Sequence, residues 1–494
     1  MITNSGIFSL NSFILLAVFS VVTFVAHRLG GKILNRESFF TAGGSMPWWA
    51  VSASITATAI SSVTFVTIPA YIFKIGGDIG YIQIIFGLML GKILTAALFV
   101  KPYYENRSVN TTYDYIRVQI DSLAGNLSMI LGIILTTISA GIRVLTTALV
   151  LSVITDMPLM LCASGVVGFA VLWSWMGGLK MVIWTDFLLF GIFTFGAIFA
   201  MIYMGTQFEM SFTEAYHWLD ERSKLTLFDF SIDPQTTYTI WAGLIGASLG
   251  NLALAGSQGT MQRIRACKSA ADARKAYYVA ALLYVTPICM VLVGLALSIF
   301  YYENPLSQSF LTELSAEPDR IFPYFIANDI PNGLSIIFII AILAAGVSTL
   351  DTYLTEITDI SISNIYMRYI KPKASEVHYL KMSRFILLSW GILYFFITWF
   401  ISQYTGQGLL DITFKFPSFV TGLILGTMLL ARLKIGNRIT YVIGLILGIF
   451  TVYLLSDLNV GFFWWAPTSA LIMLLSVWLL DQYTKLGYKT VGKK

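Results

Sequence analysis

Thirteen apolar runs recur along this chain, each long enough to cross a bilayer as a helix, and little sequence is left between them. They lie near 8–27, 47–75, 79–101, 125–152, 157–177, 183–204, 237–259, 275–301, 333–367, 381–402, 408–431, 437–455 and 461–482. A hydrocarbon layer of about 30 Å takes about 20 helical residues, so the pattern specifies an all-α polytopic membrane protein with about thirteen spans. Composition agrees. Hydrophobic residues make up 57% of the chain and charged ones 12%, against roughly a quarter charged in a soluble domain.

The basic residues set an expected orientation. Arg28, Lys32 and Arg36 fill the first internal loop, and every second loop after it is basic: Lys101, Arg107 and Arg117; Lys180; Arg263, Arg265, Lys268, Arg274 and Lys275; Arg368, Lys371, Lys373, Lys381 and Arg384; Arg432, Lys434 and Arg438. The tail adds Lys485, Lys489, Lys493 and Lys494, giving 24 of the 31 Lys plus Arg on one side. The opposite loops carry only Lys74, Arg222, Lys224 and Arg320. The N-terminus is therefore expected outside and the C-terminus in the cytoplasm, and orientation alone accounts for the net charge of +5 without nucleic acid. The first run lacks a preceding basic segment and a following small-residue cleavage site, so it reads as a retained span.

Cys162, Cys267 and Cys289 have no paired spacing, and three scattered histidines do not suit a transition-metal site. No nucleophile and base pair or cofactor motif points to an enzyme. The longest loops, about 205–236 and 302–332, are both on the expected outer side and too short for a further domain. One transmembrane unit, 1–494, is expected.

Two runs look built to break. The second passes through Ala57, Ile60, Ser61, Ser62 and Thr64 to Pro69, a proline that removes a backbone donor and frees a carbonyl one turn earlier. The run at 237–259 carries Gly243, Gly246, Gly250, Gly256 and Gly259. Interrupted helices at matching places point to inverted repeats around a mid-membrane site; for the glycines, close helix packing is an equal reading.

Within the run at 333–367, Ala345, Ser348, Thr349, Thr352, Thr355, Glu356, Asp359 and Ser363 fall in an arc of roughly 120°. A polar stripe of that kind does not face lipid. Its upper part offers hydroxyl and carbonyl oxygens suited to Na⁺, and its lower part a hydrated exit, although Ser and Thr in such helices also bond their own i−4 carbonyls. Asp186 reads either as a cation ligand facing this stripe or as an interfacial residue paired with a loop cation. Arg143, midway along its run, awaits either a substrate carboxylate or a structural acidic partner. Gln83 either orients a ligand or caps carbonyls freed by the break. Lys92 and Lys415 read as structural or interfacial.

Several stretches together resemble the sodium:solute symporter family: Gly43, Gly44, Ser45, Met46 and Pro47; the run Ala57 to Phe65; the Trp175, Met176, Gly177, Gly178 turn ahead of Asp186; Gln258 to Arg263 followed by Ala266, Cys267, Lys268 and Ser269; and the stripe with Asn364, Ile365 and Tyr366. The resemblance implies a LeuT-like five-plus-five inverted repeat with alternating access: a leading helix at 8–27, a first repeat at 47–204, a second at 237–431 and two further helices at 437–482. It implies a first Na⁺ site from Ala57, Ile60, Ala345, Ser348 and Thr349. A second, found in some members, would use Asp186, Ser348, Asp351 and Thr352, with Asp351 standing where the sialic acid carriers have a hydroxyl. Ser61, Thr64, Gln83 and Arg143 match positions that hold the acid in those carriers.

The expectation is a symporter in which one or two Na⁺ ions drive uptake of an organic acid (a sialic acid, another acidic sugar or a monocarboxylate) across a bacterial inner membrane, working as a monomer. The alternatives are a carrier of a neutral or zwitterionic solute such as a sugar, polyol or proline, and a solute-sensing membrane domain.

Overall fold

The structure is a computed structural model that describes residues 10–491 apart from 32, 34, 107, 156, 332 and 404–408. Lys32, Arg107, Lys493 and Lys494 of the basic loops and tail lie outside the described residues, as do the first residues of the runs at 8–27 and 408–431.

Each of the thirteen apolar runs is largely helical in its described residues, with interruptions at 60–61, 99, 257 and 283–284. In chain order the principal helices are α1 (Leu10–Gly30), α2 (Trp48–Ala59), α3 (Ser62–Phe73), α4 (Tyr81–Leu98), α5 (Ser122–Thr155), α6 (Leu159–Gly205), α7 (Gln258–Ala266), α8 (Ala270–Leu282), α9 (Val285–Glu303), α10 (Ser335–Ile360), α11 (Glu376–Ser402), α12 (Leu409–Leu433), α13 (Arg438–Asp457) and α14 (Trp465–Val491). Among the described residues, ten helical stretches are long and apolar enough to span a membrane, and α2 with α3 forms an eleventh bent by 54°. Two differences separate this count from thirteen. The runs at 157–177 and 183–204 are joined in α6, which is kinked at Gly178 (φ 52°), and the run at 237–259 is reduced to the short helix Ala242–Gly256.

The break in the second run lies at Ile60 and Ser61, both extended, and not at Pro69. Pro69 sits inside α3, packed against Gly294 of α9. Membrane helices tolerate proline where neighbouring helices cover the freed backbone, whereas two extended residues end the hydrogen-bond ladder outright. The carbonyls of the last turn of α2 are thus released at mid-helix.

The short helix Ala242–Gly256 begins in wide π turns, tightens at Leu254–Gly256 and stops at the extended Ser257, whose hydroxyl caps α7. Close packing explains Gly243: a Cβ there would lie 2.3 Å from the Gln83 carbonyl oxygen of α4.

Two of the sequence stretches meet directly. Met46 N–H donates to the Ala266 carbonyl at 2.9 Å, pinning the segment before α2 to the end of α7. Arg263 and Arg265, counted in a basic loop from sequence, belong to α7 and are buried.

α10 is buried along nearly its whole length and packs on α5, α6 and α2, which makes it the axis of the bundle. α13 and α14 pack on each other and α12, and α1 lies against α6. Large apolar side chains such as Phe24, Phe385, Phe396, Ile446 and Phe450 cover the outer face, as a surface in contact with lipid requires.

Candidate cation and substrate site

The broken α2/α3 pair crosses α10 where the polar stripe is most oxygen-rich. Ala57, Ile60, Ala345, Ser348 and Thr349 are all buried there. Ser348 Oγ donates to the Ala345 carbonyl at 3.2 Å and approaches the Ala57 carbonyl at 3.4 Å, and Thr349 Oγ1 donates to the Ala345 carbonyl at 3.1 Å. Carbonyl and hydroxyl oxygens from two helices, with no charge among them, form a donor set suited to a small monovalent cation.

The second expected set is brought together with an unexpected member. Asp186 accepts from Ser54 Oγ at 2.5 Å and pairs with the Arg263 guanidinium at 3.2 Å. Arg263 also donates to Ser54 Oγ at 3.0 Å, Thr58 Oγ1 at 2.8 Å and Thr352 Oγ1 at 2.6 Å. This corrects one expectation. Asp186 is fully buried, and its partner comes from a buried helix and not from an interfacial loop. Thr352 Oγ1 accepts from the same guanidinium, so the expected second set contains a cationic side chain as well as its oxygens. Asp351 is fully buried beside this group, accepting from Thr185 Oγ1 at 3.5 Å. One oxygen of each carboxylate, Asp186 Oδ1 and Asp351 Oδ1, has no hydrogen-bond donor. With both carboxylates ionised, a single guanidinium leaves one negative charge uncompensated.

The lower stripe is covered by α7 and so is not an open exit. Glu356 Oε1 accepts from Gln258 N–H at 2.9 Å, and Asp359 Oδ2 accepts from the side-chain amides of Gln258 and Gln262 at 2.7 and 3.0 Å.

A cavity of ≈ 250 Å³ adjoins the break, lined by residues of α2 through α5, Ala242–Gly256, α7 through α10, α12 and α14. Ser61, Thr64 and Arg143 face it. Gln83 does not: its amide donates to the Gly80 carbonyl at 3.1 Å and accepts from Asp229 N–H at 3.1 Å, tying the start of α4 to the loop that follows α6. Arg143 lies 5.3 Å from the Tyr353 ring centre and donates to the Ser139 carbonyl at 3.3 Å. Its Nε is buried without a partner, and among the described residues no carboxylate pairs with it. Lys92 also faces the cavity, beside the Tyr284 ring, whereas Lys415 does not line it. Sequence reasoning missed Arg263 because it stands among five basic residues within thirteen, which reads as loop.

Residues 39–434 match the family model for the Sodium:solute symporter family. Similar curated proteins include the Sodium-coupled monocarboxylate transporter 2 of Bos taurus, 26% identical over 378 residues, covering 75% of this chain and 59% of that protein. Another is the Sodium/sialic acid symporter SiaT of Proteus mirabilis, 26% identical over 372 residues, covering 72% of this chain and 71% of that one. The match to the first spans about three fifths of that relative's length. Among solved structures, the substrate-bound outward-open state of a Na⁺-coupled sialic acid symporter superposes with a TM-score of 0.85 over 97% of this chain and 98% of that chain, at 22% identity. That likeness shows the fold.

Proposed function

Because the chain belongs to the sodium:solute symporter family, we propose that it is a secondary active carrier in which inward Na⁺ drives uptake of an organic acid by alternating access. The observation that carries the substrate class is Arg143. A guanidinium beside the break in α2/α3, with a buried Nε left unpartnered and no carboxylate on it, is costly in a membrane unless a ligand brings the negative charge. A substrate carboxylate supplies that charge in the geometry a guanidinium prefers.

One Na⁺ binds the oxygens of Ala57, Ile60, Ala345, Ser348 and Thr349, holding the broken helix in shape for the acid near Ser61 and Thr64. A second monovalent cation binds between Asp186 and Asp351, beside Arg263, with Ser348 shared between the two sets. The domain reading divides the chain into repeats at 47–204 and 237–431, with 8–27 before and 437–482 after. The N-terminus lies outside and the tail in the cytoplasm, the location is a bacterial inner membrane, and the working unit is a monomer.

A ligand that binds only the native protein raises its apparent stability with concentration. Thermal shifts of the purified protein, with Na⁺ and with K⁺ in its place, therefore test the substrate class across acidic sugars, monocarboxylates, neutral sugars and amino acids. Shifts confined to acids, dependent on Na⁺ and lost in Arg143→Gln are expected. Shifts produced by neutral solutes and retained in that variant would transfer the reading to a neutral-solute carrier.

A further inference from the structure

Lys92 has no role in the site as described, yet it occupies the same depth and the same cavity. It lies eleven residues into the 18-residue α4, about 16 Å from the start of that helix by helical rise. Its side chain is buried and faces the cavity. Among the described residues no carboxylate and no hydrogen-bond acceptor reaches its ammonium; the neighbour is the Tyr284 ring, centred 5.6 Å away.

Three contacts fix the depth. Thr56 Oγ1 approaches the Ala280 carbonyl at 3.3 Å, so Tyr284, one turn further on, is level with Ile60 at the break. Thr147, one turn from Arg143, bonds Ser62 at 2.7 Å on the other side of the break. Tyr353, under the Arg143 guanidinium, follows Thr352, whose hydroxyl is 3.1 Å from that of Thr58. Lys92 and Arg143 thus flank the break from two different helices. Glu356 also lines the cavity, but it lies a further turn along α10, held by the N-terminus of α7, and it pairs with neither cation. The Arg263 guanidinium is paired with Asp186.

The cation that acts on Lys92 is Arg263, already paired with Asp186; Lys92 and Arg143 leave the cavity with two uncompensated positive charges, and a lysine in mid-membrane is retained where something compensates it. We infer that Lys92 is a second anion-binding residue of the substrate cavity and that the transported acid carries two anionic groups, one on Arg143 and one on Lys92. The inference rests on the organic-acid reading above and sharpens it from acids in general to dianions of dicarboxylate type.

Binding to the purified full-length protein in Na⁺ tests it, using malonate, succinate and glutarate against propionate, butyrate and valerate. The dicarboxylate of fitting length is expected to bind at least about tenfold more tightly than the monoacid of similar length. Lys92→Met is expected to weaken the dicarboxylates at least about tenfold and the monoacids clearly less, so that the preference is lost, and Lys92→Arg is expected to keep it. A wild type that favours monoacids, or a Met variant that weakens both classes equally or neither, would overturn the inference and leave the organic-acid reading standing. Should no acid of either kind bind while neutral solutes do, the organic-acid reading itself falls, and the dianion with it. The wild-type ratio decides by itself if the Met variant does not fold.

Discussion

Two carboxylates and one guanidinium meet between α2, α6, α7 and α10, and their arithmetic bears on how many ions move. Arg263 pairs with one oxygen of Asp186 and also donates to Thr352, while Asp351 adds a charge that a hydroxyl in its place would not. If a second cation binds there, Na⁺ activation of uptake has a Hill coefficient approaching two in the wild type and one in Asp351→Asn. An unchanged coefficient in the variant would exclude Asp351 from the ion path. Ser348→Ala removes an oxygen from both sets, and a lost ligand contact of about 0.5–1.5 kcal/mol corresponds to a rise of about 2- to 10-fold in the Na⁺ concentration for half activation. The stripe holding Ser348 was legible because its side chains recur at helical spacing, whereas Asp351 entered the second cation set only through the family resemblance. Arg263 was not, since a short polar helix and a basic loop have the same composition, and only the fold shows that α7 is enclosed.

Helix breaks were legible as places where small, hydroxyl and proline residues gather, but not as positions. Pro69 drew attention to the right helix and the wrong residue, because α3 runs on past Pro69, whereas the ladder of α2 stops after the Ile60 N–H bond to the Thr56 carbonyl and Ser61 is extended. Glycines of the Ala242–Gly256 helix divide by what surrounds them, which sequence does not reveal. Gly243 meets the backbone of α4, whereas nothing lies within 4 Å of a Cβ at Gly250. Gly243→Val is therefore expected to destabilise the fold by about 1–3 kcal/mol, the range for overpacking a tight contact, and Gly250→Ala to leave the unfolding temperature nearly unchanged. Thermal unfolding of the two variants in detergent checks this, and equal behaviour would contradict the close approach of the two helices.

For the whole molecule, apolar runs of bilayer length made the fold class readable before any contact was known, and family resemblance supplied the architecture that spacing alone leaves open. Tertiary placement decided the rest: Gln83 is spent on holding a loop, and Lys92, read from sequence as structural, faces the same cavity as Arg143. On the proposed reading, accumulation of the substrate requires an inward cation gradient. Its central claim is tested most directly by reconstituting the protein in liposomes and following labelled acid under an inward Na⁺ gradient, with K⁺ or choline gradients and a proton gradient as comparisons. Accumulation above equilibrium with Na⁺ alone is the expected result. Equal uptake without Na⁺, or accumulation driven by the proton gradient, would contradict it.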